Sequence, residues 1–313
     1  MEDRLKAFLR LSAGLVLLAG LLYLSDPRKV ASTVLDAEPL YVAGAAALYL
    51  STYIPVSMRW RNLSSGIGRD LSLRDSFGVI SISYGFNQAL PGNSGDAVRS
   101  KIFQGYQEID SHSSVLGAVL VERFYDLASV LGIILISMKF IAAGYLGRIY
   151  WLLIPFTLAV TGVTAFILFG TDRVERIADH LPERIKGPFL RISQGIEKSS
   201  RASTLENISY SAYKWVAEAV IFYMLAVSLG LGVSFWEAAF VTSVMSLVSS
   251  LPITPAGVGP VETVGAGLLG AMGLGYSGAL SLILVQRSIG VSLTALLGFA
   301  VYWADLGGSE IDI

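Results

Sequence analysis

Two apolar segments of this chain stop at a Leu-Pro pair before they are long enough to cross a membrane. Residues 76–90 and 236–251 hold about 15 residues each, whereas a spanning helix needs about 20. Each is followed by a bend rich in Gly and Pro and by a second helical stretch, near 95–106 and 258–273. Irregular backbone at membrane depth persists only where protein or a water-filled cavity satisfies its polar groups. The pattern predicts two re-entrant hairpins, each a broken pair of helices that enters the membrane and returns.

The composition is that of an integral membrane protein. Hydrophobic residues make up 53% and charged residues 15% of the 313 positions, whereas soluble domains carry roughly 25% charged residues. Longer apolar runs that suit a bilayer span lie near 8–24, 39–57, 114–137, 149–170, 209–230 and 278–303. We therefore predict an all-α, polytopic helical membrane protein.

Basic residues predict the orientation of these helices. With the N-terminus in the cytoplasm, 17 Lys and Arg residues fall on the cytoplasmic side and four fall outside, an excess typical of cytoplasmic loops. The cytoplasmic set includes Arg59, Arg99 and Lys214, while Arg123 and Arg287 fall within the membrane. In this orientation the first hairpin enters from the cytoplasm and the second from outside, which predicts an inverted-topology repeat.

The repeat divides the chain into four predicted parts of a protein in the cell (cytoplasmic) membrane. The two halves match because each contains a short broken pair followed by a span with an arginine. Residues 171–208 are polar and mixed in charge, which favours cytoplasmic amphipathic helices along the membrane surface. The parts are an N-terminal span and outer loop (1–38), the first repeat half (39–137), a connecting span and amphipathic segment (138–208) and the second repeat half (209–313).

Arginines inside apolar helices are the first candidates for function. Placing one at the bilayer centre costs about 2.5–3.5 kcal/mol on insertion scales, so such residues usually face a cavity or a partner. Arg123 has Glu122 beside it and Asp126 three positions on, at a neighbouring point of the helix surface. A local ion pair that merely permits insertion is therefore an alternative explanation of Arg123.

Arg287 has no carboxylate within four positions, so its partner must come from another segment or from a ligand. Glu262, in the second hairpin, is the first candidate, and Glu218 is the second. Trp215 and Glu218 lie one turn apart in the predicted span 209–230 and are candidates to line a cavity. Trp215 would equally suit an anchor at the membrane interface.

The first bend suits an anionic ligand. It runs Pro91-Gly92-Asn93-Ser94-Gly95-Asp96-Ala97-Val98-Arg99, in which Gly92 and Gly95 permit backbone angles that other residues resist. A helix that starts here would point free N–H groups and its positive dipole end into the membrane, where a phosphate could bind. Arg99 could pair with Asp96 or bind a lipid head group. The alternative is a plain N-cap and turn in which Asp96 accepts from the backbone.

The second bend repeats the pattern. It runs Pro252-Ile253-Thr254-Pro255-Ala256-Gly257-Val258-Gly259-Pro260-Val261-Glu262. Its three prolines cannot continue one helix without losing hydrogen bonds, so a plain kink is the alternative to a functional bend. Glu262 lies in an apolar stretch, where a carboxylate is a candidate to bind a cation, carry a proton or hold Arg287.

These residues resemble the transmembrane region of the lysylphosphatidylglycerol synthase family, flippase-like membrane proteins of bacteria and archaea. Its first motif corresponds to Leu90-Pro91-x-x-x-Gly95-Asp96-x-x-Arg99, followed by Glu122-Arg123-x-x-Asp126. Its second corresponds to Leu251-Pro252-x-Thr254-Pro255-x-Gly257-x-Gly259-x-x-Glu262, followed by Arg287. The Arg59-Trp60 pair and the helix with Trp215 and Glu218 also fit.

Two positions depart from the family pattern. Asp96 stands where the family usually has glutamate, and Ala256 where it usually has glycine. The resemblance implies translocation of a lipid with a charged or sugar-bearing head group. It implies no synthase activity, because the soluble transferase domain of larger relatives has no counterpart here.

We therefore predict a lipid flippase for an anionic phospholipid or a (poly)isoprenyl-phosphate or glycolipid head group, and not an enzyme. An ion-coupled transporter of a small polar solute and a membrane-embedded lipid transferase are the alternatives. No cofactor or metal is predicted, since the chain has no Cys and only two His residues. The expected partners are membrane lipids and a separately encoded lipid-modifying synthase or glycosyltransferase, with no nucleic acid.

The predicted site residues fall into two groups by role. The residues predicted to bind substrate are Asn93, Asp96, Arg99, Glu122, Arg123, Asp126, Trp215, Glu218, Thr254, Glu262 and Arg287. The residues predicted to form the bends are Pro91, Gly92, Gly95, Pro252, Pro255, Gly257 and Gly259.

Overall fold

The computed structural model describes a helical protein. The described residues are 28, 32–33, 35–67, 70–89, 94–104, 106, 112–141, 155, 158, 162, 182–200, 203–251, 254 and 257–306, and none of them is in a strand. The predicted span 8–24 lies outside these residues. So does the predicted span 149–170, apart from three isolated positions.

Ten α-helices have bounds among the described residues. They are α1 (Pro39–Ser51), α2 (Tyr53–Ser64), α3 (Leu73–Ala89), α4 (Ser94–Gln104), α5 (His112–Phe140), α6 (Glu183–Ser200), α7 (Thr204–Ser228), α8 (Phe235–Ser250), α9 (Pro260–Ala271) and α10 (Tyr276–Val301). A π-helical turn, Tyr302–Leu306, follows α10.

Two described segments have the length and hydropathy of a membrane span. They are Pro39–Ser64, which joins α1 and α2, and Tyr276–Asp305, which joins α10 and its π turn. The first is longer than the predicted span 39–57, because α2 continues past the apolar run as far as Ser64. Helix α5 covers the predicted span 114–137, and α7 covers the predicted span 209–230 as far as Ser228.

The second broken pair, α8 and α9, depends on two glycines. Helix α8 opens with a capping box between Ser234 and Glu237 and ends where Leu251 turns extended. Gly257 and Gly259 then adopt φ angles of 70° and 93°, which side chains disfavour. The predicted conformational role of these two glycines is confirmed.

The first broken pair, α3 and α4, uses its glycine differently. Gly95 lies within α4 and is not among the glycines with positive φ in the described residues. A Cβ at this position would collide with the backbone carbonyl of Ser83 and with Asn87 on α3. The prediction that Gly95 supplies an unusual backbone angle is therefore wrong, because the glycine is needed for close packing of the two helices.

Contacts between helix termini show which helices begin or finish at the same end of the molecule. At one end, Asp305 after α10 binds both Arg74 at the start of α3 and Tyr106 after α4, each at 3.1 Å. At the other end, the N–H of Glu38 before α1 donates to the carbonyl of Ser228, the last residue of α7, at 3.1 Å. Thus α3 begins and α4 finishes at the same end of the molecule.

The second broken pair has its outer ends at the opposite end. Phe140, at the end of α5, stacks on Trp236, at the start of α8, with ring centroids 4.3 Å apart. One small recess is lined both by 232–237, where α8 begins, and by 269–274, where α9 finishes. The α8–α9 pair therefore opens at the end where α1 begins and α7 finishes.

Helix α6 packs against α5. A Cβ on Gly117 of α5 would collide with the backbone of α6, and a Cβ on Gly195 of α6 with the backbone of α5. Ile196 is buried there beside Val121 and Tyr125. The two glycines let the backbones of α5 and α6 touch. The expectation of amphipathic helices along the membrane surface for 171–208 stays a prediction.

Helices α3 and α10 join the two predicted halves. Gly85 and Gly298 face each other, and a Cβ on Gly298 would lie 2.7 Å from the carbonyl oxygen of Ser81. Two apolar cores flank this crossing, one mainly among α5, α7, α8, α9 and α10 and one among α2, α3, α4 and α5. A polar cavity lies between the helices of the two cores.

Candidate functional site

A cavity of about 460 Å³ lies among α1, α3, α5, α7, α8, α9 and α10. Its lining combines charged side chains with hydroxyl, amide and apolar groups. The charged and aromatic lining residues are Arg123, Asp126, Lys214, Glu218, Arg287, Trp215, Tyr49 and Tyr84. The neutral polar side chains are Asn87, Thr242, Ser246, Ser249, Ser250, Gln286 and Thr294.

Glu122 is the centre of a buried ion network beneath the cavity. Its Oε1 lies 3.1 Å from Arg59 Nη2 and its Oε2 lies 2.6 Å from Arg99 Nη1. All three side chains are fully buried. Tyr84 donates its hydroxyl to the same carboxylate at 3.4 Å. In a medium of low dielectric such charges are tolerated only as a paired set.

Asp96 connects this network to the cavity. Its Oδ1 accepts from Arg99 Nη2 at 2.8 Å, and its Oδ2 accepts from Arg123 Nε at 2.9 Å. Arg123 Nη2 contacts the same oxygen. The predicted pairing of Arg99 with Asp96 is confirmed, and the nearer partner of Arg123 is Asp96 rather than Asp126, which lies 3.8 Å away.

Asp126 binds three side chains from two other helices. Its Oδ1 lies 2.6 Å from Arg59 Nη1 and accepts from Trp215 Nε1 at 3.0 Å. Its Oδ2 lies 3.5 Å from Lys214 Nζ. The Lys214 ammonium also sits 4.1 Å from the centre of the Trp215 ring, a cation–π distance. Trp215 is therefore part of the cavity wall and not only an anchor.

The first-half network carries an excess of positive charge. Its cations are Arg59, Arg99, Arg123 and Lys214, and its anions are Asp96, Glu122 and Asp126, so one cation exceeds the carboxylates. Of these cations, Arg123 and Lys214 line the cavity. The Arg123 side chain is 35% exposed, the largest value in this network. Arg123 is therefore the cation of this network that is most open to the cavity.

The second arginine of the cavity has the partner that the sequence predicted. Arg287 Nε lies 3.0 Å from Glu262 Oε1, and the Glu262 side chain is almost fully buried. The other oxygen of Glu262 accepts from the N–H of Gly259 at 2.7 Å. The bend thus fixes the carboxylate at the start of α9, and the carboxylate holds Arg287 at the cavity wall.

The predicted site residues divide into those that line the cavity and those that support it. The lining residues are Arg123, Asp126, Trp215, Glu218 and Arg287. Asp96, Arg99, Glu122 and Glu262 lie behind them and act through ion pairs. Thr254 donates to the carbonyl of Val258 at 2.8 Å and does not line the cavity. Asn93, Pro91, Gly92, Pro252 and Pro255 lie outside the described residues.

The position of Arg99 leaves it no room for a lipid head group. Besides its two carboxylates it donates from Nε to Ser83 at 3.0 Å, and its guanidinium lies 4.8 Å from the centre of the Trp60 ring. The free N–H groups expected at the start of α4 are also partly used, because Gly95 donates to Asn87 Oδ1 at 2.7 Å. Asp96, at the start of the same helix, pairs with Arg99 and Arg123.

Sequence reasoning missed Arg59 and Lys214 as site residues. Both were counted with Arg99 only as charges on the cytoplasmic side, whereas the structure buries all three side chains in the ion network. Arg59 sits five residues from the end of α2, so its helix carries it inward. The spacing of Ser211, Lys214 and Glu218 on one face of α7 was the available signal.

The described part of the chain is helical, with two segments long and apolar enough to span a membrane and a polar, ion-lined cavity between its helices. The chain belongs to the family of the lysylphosphatidylglycerol synthase transmembrane region, whose family model matches residues 11–298.

Curated relatives support the membrane assignment. A UPF0104 membrane protein of Methanothermobacter thermautotrophicus is 20% identical, over 92% of this chain and 92% of its own length. A UPF0104 membrane protein of Methanocaldococcus jannaschii is 23% identical over 69% of this chain and 92% of its own. The glycosyltransferase AglD of Haloferax volcanii is 26% identical over 75% of this chain, and the match covers 44% of that protein.

Proposed function

We propose that this protein moves an anionic phospholipid, or a (poly)isoprenyl-phosphate or glycolipid head group, between the leaflets of the cytoplasmic membrane. The observation that supports this proposal is one cavity among apolar helices. Arg123, Lys214 and Arg287, which come from both predicted halves, line this cavity. Phosphate oxygens suit guanidinium groups, which bind them bidentately. The acyl or isoprenoid tail stays in the surrounding lipid while the head group enters the cavity.

We propose further that the two broken helix pairs are re-entrant hairpins of an inverted-topology repeat. The α3–α4 pair opens at the end marked by Asp305, and the α8–α9 pair opens at the end marked by Trp236. Opposite entry of two such pairs is what an inverted repeat requires, and rocking of the halves would alternate access to the cavity. The N-terminus is then cytoplasmic, as the distribution of basic residues favours.

The name of one relative, a glycosyltransferase, favours a lipid-linked sugar among the possible head groups. The match to the protein named glycosyltransferase AglD covers less than half of that protein. We propose transport rather than catalysis for this chain, with a separately encoded synthase or glycosyltransferase as its partner. The hydroxyl side chains of the cavity wall, among them Ser246, Ser249 and Ser250, suit hydrogen bonds to a sugar.

A neutral double variant tests the role of Arg287. Arg287→Ala alone would leave Glu262 as a buried, unpaired charge and unfold the site. Arg287→Gln combined with Glu262→Gln removes both charges and keeps hydrogen-bonding groups in place. In proteoliposomes containing fluorescent phosphatidylglycerol or a polyisoprenyl-phosphate sugar, we expect this variant to move head groups about 10- to 100-fold more slowly, the cost of one charged hydrogen bond.

Arg61→Gln is the matched control, because Arg61 is exposed at the last turn of α2 and does not line the cavity. It should leave the rate unchanged. Wild-type rates in the folded double variant would refute the proposed site. Movement of a water-soluble anion without any lipid would favour the solute transporter, and appearance of a new lipid product would favour the transferase.

A further inference from the structure

Glu218 differs from the other acidic residues of the site. Asp96, Glu122, Asp126 and Glu262 each have a Lys or Arg nitrogen within 4 Å. Glu218 lines the cavity, and the contact recorded for its carboxylate is Gln286 Nε2, at 3.5 Å. Among the described residues no Lys or Arg forms an ion pair with it. The site therefore contains one carboxylate that faces the cavity without a cation to neutralise it.

Lys214, the cation nearest to Glu218 in sequence, contacts other groups. Lys214 lies one turn before Glu218 on α7, but its ammonium is held between Asp126, at 3.5 Å, and the Trp215 ring. Lys214 and Glu218 still interact through space. Glu218 thus lies along α7 between the first-half network and Gln286, the neighbour of Arg287.

The remaining groups around Glu218 are polar but do not neutralise it. The hydroxyls of Tyr49 and Tyr53 are both bound to Thr294, at 2.7 and 3.0 Å. Helix α8 contributes hydroxyl groups and no ionisable side chain to the cavity wall. The titratable and charged groups that face this part of the cavity are Tyr49 of α1, Tyr53 of α2, Tyr84 of α3, Arg123 and Asp126 of α5, Lys214 of α7 and Arg287 of α10.

We propose that Glu218 is a proton-binding site that couples head-group binding to uptake of one proton. This inference rests on the proposed function and names its coupling ion. A phosphate that enters between Arg123 and Arg287 brings a negative charge into a cavity that already holds this unpaired carboxylate. Like charges at short range in a poorly solvated space repel strongly, and a proton on the carboxyl group removes the repulsion.

Thermodynamic linkage determines whether affinity for the head group rises or falls with pH. If the head group favours protonated Glu218, then protons favour the head group by the same factor. Affinity for the head group should therefore rise as the pH falls, by up to about tenfold per pH unit for one proton. The rise should level off once Glu218 is protonated in the unliganded protein. A proton gradient would then drive transport, because one proton crosses with each head group.

Binding measurements on the detergent-purified full chain test this directly. The probe is a short-chain phosphatidylglycerol, whose phosphodiester keeps one charge through acid and neutral pH. Calorimetry in buffers of different ionisation enthalpy, at a pH above the range where affinity levels off, should give uptake of about one proton per lipid in the wild type. In Glu218→Gln, affinity should no longer depend on pH and should equal the low-pH affinity of the wild type. Glu218→Gln proteoliposomes should also fail to respond to a pH gradient.

Glu206→Gln is the matched control, because Glu206 lies on the same helix, is exposed and contacts Asn62 away from the cavity. It should keep the pH dependence of the wild type. Lipid binding without proton uptake in the wild type, or pH-dependent binding in Glu218→Gln, would overturn the inference while leaving the flippase intact. The number of protons that the wild-type protein takes up on lipid binding tests the inference even if Glu218→Gln fails to fold. Absence of both lipid binding and lipid movement in the wild type would instead refute the proposed function.

Discussion

At the scale of single residues, the site depends on one fully buried carboxylate. Glu122 holds Arg59 and Arg99 with separate oxygens, and these arginines reach back to Asp126 and Asp96. Glu122 therefore helps to position Arg123 and Lys214 through Asp96 and Asp126, although Glu122 itself does not line the cavity. A buried network of this kind adds little net stability, but it makes the loss of any one member costly.

We expect Glu122→Ala to lower the free energy of unfolding by about 3–5 kcal/mol, because two buried guanidinium groups lose a charge partner. Thermal or denaturant unfolding in detergent measures this. Arg74→Ala is the comparison, since that side chain is 83% exposed in its pair with Asp305. It should cost less than about 1 kcal/mol. Equal losses in the two variants would contradict the importance of burial.

At the scale of elements, contacts between glycines decide which helices lie together. Gly117 of α5 and Gly195 of α6 allow the two backbones to meet, and Gly85 and Gly298 do the same for α3 and α10. Side chains at these positions would collide with backbone atoms, which cannot move aside as a flexible side chain can. Close packing of small residues is a general means of joining helices in a membrane, where apolar side chains gain little from leaving lipid.

Two glycines on α5 allow a matched test. Gly117→Ala should separate α5 from α6 and destabilise the protein by about 1–3 kcal/mol, the usual cost of overpacking. Gly132→Ala should be neutral or stabilising by up to about 1 kcal/mol, since no atom lies within 4 Å of its added methyl group and alanine favours a helix. Unfolding midpoints in detergent compare the two. A milder effect at Gly117 than at Gly132 would show that α6 does not pack as described.

At the scale of the whole molecule, the helix ends separate into two opposite ends. Asp305, Arg74 and Tyr106 meet at one end, while Glu38 meets Ser228 at the other. If the protein has the proposed inverted topology, the first end is cytoplasmic and the second is outside. The cavity then lies between two broken hairpins that enter from opposite sides.

Cysteine labelling tests this arrangement cleanly, because the chain contains no cysteine of its own. Ser65→Cys, between α2 and α3, should react with a membrane-impermeant maleimide only from the cytoplasmic side. Gly232→Cys, between α7 and α8, should react only from outside, and both positions are exposed. The unmodified protein is the blank. Labelling of both variants from the same side would rule out the inverted repeat.

The positions of the helices and of both breaks followed from local sequence patterns. Apolar run length and the prolines and glycines act within a few residues, so they indicated α3 to α5 and α8 to α10 without knowledge of the fold. The pairing of Arg287 with Glu262 was predicted for a related reason. An arginine in an apolar helix without a nearby carboxylate needs a distant one, and few carboxylates lie in apolar stretches.

Only the tertiary structure could decide which charges share the site. Arg59 meets Asp126 across 67 positions and Ser211 across 152, and neither distance leaves a periodic trace in the sequence. The same holds for Lys214, which the sequence indicated only as a charge on the cytoplasmic side and which α7 places against Asp126. Sequence determined where helices form and break, because those preferences are local. Packing alone determined which side chains meet, because those contacts depend on how the helices cross.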